Sequence, residues 1–80
     1  MNFRFTISNL GTFLGKSPVT IRNWERKGMI TLPRVGNSRS LNLDELKNVA
    51  TVAYDSGRIS SDRLMHINET IVLLQGLEKE

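Results

Sequence analysis

Eighty residues lead us to expect a single domain, with no room for a separate sensor or catalytic unit. A hydrophobic share of 39% and a charged share of 24% read as a small soluble globule, and the lack of cysteine excludes disulfides, thiolate metal sites and thiol redox chemistry. The net charge of +3 hides an asymmetry: between Lys16 and Arg39 stand six bases (Lys16, Arg22, Arg26, Lys27, Arg34, Arg39) against the single acid Glu25, whereas residues 40–80 hold four bases and seven acids. A polyanion-binding face on an acidic body has this pattern.

The opening Met-Asn-Phe-Arg-Phe lacks the apolar core of a signal peptide. No stretch approaches the roughly 18 apolar residues of a membrane helix. A cytoplasmic protein is expected.

Phe3–Thr6 is read as a short strand or a lead-in. Ser8 is the expected N-cap of a first helix, which carries Leu10, Phe13 and Leu14 on one face and stops at Gly15. Ser17-Pro18 opens a second helix, because serine caps free amides and proline already has the φ of a first helical residue. That helix runs to Lys27 and ends at Gly28. Ile21 and Trp24, three apart, face the first helix, while Thr20, Arg22, Asn23, Arg26 and Lys27 spread over the other side. Two short helices joined by a tight glycine-containing turn are a helix-turn-helix pattern.

Pro33 bars a helix after Leu32, and Gly36-Asn37 marks a turn, so Met29–Leu43 reads as a short hairpin or wing with Arg34 and Arg39 beside its tip. Asn42 or Asp44 caps a third helix with Leu43, Leu46, Val49, Ala50 and Ala53 inside, ending at Gly57. Ser60 or Ser61 caps a last helix reaching about Leu77. Its stripe of Leu64, Ile67, Ile71 and Leu74, widened by Met65 and Val72, makes one seam that must be buried, and we expect it to pair two subunits. The expected fold is therefore mainly α: a winged helix-turn-helix with a small β-hairpin wing over residues 1–58, and a C-terminal dimerisation helix over residues 59–80.

The basic residues acquire roles from this pattern. A recognition helix fits the major groove, its first amides near Ser17 can hold a phosphate oxygen, and a wing reaches the flanking backbone or minor groove. The candidate DNA-binding residues are Lys16, Ser17, Thr20, Arg22, Asn23, Arg26, Lys27, Arg34 and Arg39. Lys27 equally suits the negative end of the helix dipole. Trp24 is assigned to the core, Tyr54 to packing, and Glu25 receives no role. A lone His66, with no second histidine and no cysteine, gives no metal site, and no spacing of Ser, His and Asp suggests a catalytic triad. Neither an enzyme nor a cofactor is expected.

The run Ile7-Ser8-Asn9-Leu10 through Gly15-Lys16-Ser17-Pro18-Val19-Thr20-Ile21-Arg22-Asn23-Trp24-Glu25-Arg26-Lys27-Gly28-Met29-Ile30 resembles the start of MerR-family regulators. Those begin with an Ile-x-x-Leu helix followed by Gly-Val-Ser-x-x-Thr-Leu-Arg-Tyr-Tyr-Glu-x-x-Gly-Leu-Leu. Pro33-Arg34 and Ser38-Arg39-Ser40-Leu41, leading into Asp44-Glu45-Leu46, look like the family's Arg-rich wing and next helix. The resemblance spans about residues 5–57. It implies that Ser17, Thr20, Arg22 and Asn23 face DNA, with Arg39 as the wing contact. Asn23-Trp24 stands where the family has paired aromatics, and an asparagine there can pair with adenine.

The function expected is sequence-specific binding of double-stranded DNA by a homodimer, as a small transcriptional regulator of a bacterium, phage or mobile element. One alternative is an architectural factor resembling an excisionase or small terminase subunit. Another is a protein-binding module or inhibitor built on the same scaffold, and a protein partner such as RNA polymerase or a recombinase stays open.

Overall fold

A computed structural model describes residues 2–79. The chain is mainly helical, with α1 (Ile7–Leu14), α2 (Pro18–Arg26), a hairpin of β1 (Arg34–Val35) and β2 (Ser38–Arg39), α3 (Leu43–Asp55) and α4 (Ser61–Glu78). Its extents of 38 × 33 × 16 Å describe a slab. No helix among the described residues is long and apolar enough to cross a membrane.

Helix α1 starts two residues earlier than a Ser8 cap requires. Thr6 is the cap: its hydroxyl accepts from the Asn9 amide at 3.1 Å, and Asn9 Oδ1 accepts from the Thr6 amide at 2.9 Å. Two otherwise orphan donors are thereby satisfied reciprocally, which Ser8 inside the first turn cannot do. The helix closes at Gly15, with φ +69° and paired bonds from Gly15 N to Thr12 O and Lys16 N to Gly11 O. This is the Schellman arrangement, which needs a left-handed residue at its hinge. The same paired bonds close α2 at Gly28 and α3 at Gly57.

Gly11 has a different reason to be glycine. A Cβ there would stand 2.6 Å from the Lys16 carbonyl oxygen, so the turn between α1 and α2 folds directly onto the helix backbone. Helix α2 begins as expected, with Ser17 Oγ accepting from the Thr20 amide and Pro18 in the first turn.

The lead-in Phe3–Thr6 forms a single antiparallel bridge, Phe5 to Leu41, with bonds of 2.8 and 3.0 Å. Phe5 also meets Phe13 edge-on at 5.6 Å between ring centroids. The hairpin pairs Arg34 with Arg39 and Val35 with Ser38 across Gly36-Asn37. Positive φ occurs at Gly36 and not at Asn37, the pattern of a II′ turn. Asn42 caps α3 through a reciprocal pair with Glu45, both bonds 2.8 Å, and Ser60 caps α4.

One core joins these elements: Leu10, Leu14, Ile21, Trp24, Leu41, the inner face of α3, Ile59, Ile67 and Ile71 are all buried in it. The expected dimerisation seam is part of that core. Ile67 and Ile71 are 2% exposed within the single chain, and Leu64 and Leu74 pack partly buried against the same cluster. A chain of this size needs every apolar stripe to complete one interior. Helix α4 packs along α3 and touches α1, and its end is tied back by the Phe3 amide donating to Glu78 Oε2 at 2.8 Å. The apolar residues that α4 leaves in solvent are Met65, Val72, Leu73 and Leu77, each half or more exposed. Tyr54 was expected to pack and is instead 40% exposed.

Candidate nucleic-acid interface

Burial of Ile21 and Trp24 fixes the rotation of α2. At about 3.6 residues per turn, Val19, Arg22, Asn23 and Arg26 then fall on the side away from the core. Arg22, Arg26 and Lys27 are exposed, and Asn23 is half-buried. Arg26 Nη2 donates to Asn23 Oδ1, so the carboxamide's acceptor is engaged and its NH2 donors remain for another partner. Thr20 is also half-buried, and its hydroxyl lies 3.0 Å from that of Ser17. Ser17 and Thr20 thus act first as a mutually bonded helix start.

Val19 was missed by sequence reasoning. It is 61% exposed on the first turn of α2, beside Arg22 and Asn23. A β-branched apolar residue left in water on a polar helix face gains nothing from folding there, and a thymine methyl is one group such a side chain can contact. The available signal was its position two residues before Ile21, on the opposite side of the helix.

Arg39, expected as the wing's contact to flanking backbone or minor groove, is engaged within the chain. Its Nε and Nη2 both donate to Glu25 Oε1, at 2.9 and 2.8 Å, from side chains only 22% and 21% exposed. Glu25, to which the sequence reading gave no role, therefore clips the hairpin against α2. Arg34 is the direct cross-strand partner of Arg39, so both side chains leave the same face of the hairpin. Like charges placed opposite each other repel, and the Glu25 carboxylate offsets that repulsion.

With Arg39 committed to Glu25, the segment's other five cations (Lys16, Arg22, Arg26, Lys27 and Arg34) have no carboxylate within salt-bridge distance among the described residues. The structure brings Arg22 and Arg26 together on α2, and Arg34 with Arg39 on the hairpin beside it. Lys16 lies apart, in the turn before α2, where it borders a separate hollow. Arg4, also missed, donates to Oγ and the carbonyl of Ser40 at 2.9 Å each and anchors the strand that leaves the hairpin. Among the described residues no group of three or more His, Cys, Asp or Glu is placed to hold a metal ion. In comparisons with family models, curated proteins and solved structures, the chain matches none.

Proposed function

We propose that the protein binds double-stranded DNA in a sequence-specific way through a MerR-like winged helix-turn-helix, as a small regulator of transcription. In this reading α1 and α2 are the helix-turn-helix, the outward face of α2 enters the major groove, and the hairpin is the wing. Arg22 and the NH2 of Asn23 read base edges, Val19 meets a thymine methyl, and Arg26, Lys27 and Arg34 hold phosphates. Arg39 acts through Glu25, fixing the distance between wing and helix. The observation that carries the reading is the grouping of unpaired cations on one face of a buried-backed helix, with a cationic hairpin latched beside it by Arg39–Glu25.

Two copies on a palindromic or repeated site would place two α2 helices about one helical turn apart. Ile67 and Ile71 are buried in the chain's own core and cannot pair two subunits, while Leu64 and Leu74 offer only their exposed parts.

Selection of bound fragments from random duplexes tests the proposal. The chain should enrich a defined motif, Arg22→Ala and Asn23→Ala should blur it, and Arg34→Ala should weaken binding evenly across sequences. Enrichment of the same motif by all three variants at wild-type affinity contradicts it.

A further inference from the structure

We propose that Lys16, Arg58 and Arg63 form a second phosphate-binding cluster, separate from the outward face of α2, which holds a backbone phosphate of the bound duplex; this rests on the DNA-binding reading above. The three residues come from two different turns. Lys16 lies between α1 and α2, whereas Arg58 precedes α4 and Arg63 sits in its first turn. They border one hollow of about 190 Å³, together with Gly15 and Ser60.

Gly15 makes the approach possible. Arg63 Nη2 lies 3.0 Å from the point where a Cβ of residue 15 would stand, so the guanidinium is drawn over the bare backbone of the α1–α2 turn. All three cations are exposed, and neither ion pair among the described residues includes them.

Three like charges around one polar hollow repel each other, and an anion placed among them adds an attraction to each that offsets that repulsion. Phosphate suits the site because a guanidinium offers a planar fork of donors that matches two phosphate oxygens, and two guanidinia are present. Lys16 immediately precedes Ser17, the cap of α2. A phosphate held here therefore lies beside the start of the helix that reads the groove, which favours a strand phosphate over a free ion. Arg58 and Arg63 stand in the acidic half of the sequence, and only folding adds them to the basic segment.

The test measures affinity of the full chain for its selected duplex against KCl concentration, for wild type and Arg58→Ala/Arg63→Ala, with Arg58→Gln/Arg63→Gln as a second variant that keeps side-chain bulk. Loss of this one phosphate contact should flatten the log–log slope by about 0.9, with the selected motif unchanged. Replacing single phosphates by neutral methylphosphonates should reveal a position that weakens wild type and leaves both variants unaffected. Titration with inorganic phosphate serves as the other arm. Micromolar binding of inorganic phosphate that the variants lose, with an unchanged DNA slope, overturns the duplex as the source of the anion. An unchanged slope with no such phosphate binding overturns the site itself. Failure of wild type to bind any duplex overturns the functional reading, and this site with it.

Discussion

Replacing Glu25 with alanine removes the acceptor that holds the hairpin against α2. The two bonds to Arg39 are 2.9 and 2.8 Å, both to the same carboxylate oxygen, and about a fifth of each side chain remains exposed. Fully exposed ion pairs contribute roughly 0.2–1 kcal/mol, and hydrogen bonds to charged groups about 1.5–3 kcal/mol. A pair this well covered belongs between those limits, at a coupling of about 1–1.5 kcal/mol. The two single changes should differ, because Glu25→Ala leaves Arg39 facing its cross-strand neighbour Arg34 without a counter-charge, whereas Arg39→Ala leaves an acid among cations. Glu25→Ala is therefore the more damaging. The assay is thermal and denaturant unfolding of wild type, Glu25→Ala, Arg39→Ala and the double variant, combined as a cycle. In a domain of this length each kcal/mol moves Tm by roughly 4–8 °C, well within reach of measurement. On DNA, Arg39→Ala should leave the salt slope near that of wild type, while Arg34→Ala lowers it by about 0.9. A coupling below about 0.3 kcal/mol, or loss of a full phosphate contact on Arg39→Ala, refutes the clip.

Other changes probe the rest of the fold and the reading face. Ile71→Ala should cost about 2–5 kcal/mol, by the same amount at all protein concentrations, since Ile71 is buried within one chain; a loss that grows on dilution would return it to a subunit interface. Gly11→Ala should destabilise by about 1–3 kcal/mol, because its methyl meets the Lys16 carbonyl at 2.6 Å. Gly76→Ala, in α4 with open space around it, should stabilise by roughly 0.5–1 kcal/mol in the same melts. Val19→Ala should leave stability within about 0.5 kcal/mol of wild type and relax choice at one base position, read by replacing each thymine of the selected site with uracil.

Local chemistry was legible along the chain, and tertiary pairing was not. Ser17-Pro18, Gly15, Gly28, Gly57 and the Gly36-Asn37 turn each act through a few neighbouring backbone groups, so their residue types announce them. The α3 inner face and the burial of Ile21 and Trp24 follow from helical spacing alone. Thr6 was passed over because its partner is Asn9, and a side-chain amide at that position is a weaker signal than glutamate. The α4 stripe announced that it must be covered, and spacing cannot say whether a second copy or the chain's own α1 and α3 covers it. Arg39–Glu25 spans 14 residues, and the meeting of Arg63 with Gly15 spans most of the domain. Pairings of that kind depend on how elements pack, and no local rule contains them.

On the proposed function, the outward face of α2 and the adjoining hairpin lie on duplex DNA. Amide chemical shifts of isotope-labelled protein, followed as the selected duplex is added, test this most directly. Perturbations should concentrate on residues 16–27 and 34–39, with smaller ones at Arg58 and Arg63, while the second half of α3 stays still. Perturbations confined to the exposed apolar face of α4, or none at low salt, would contradict it.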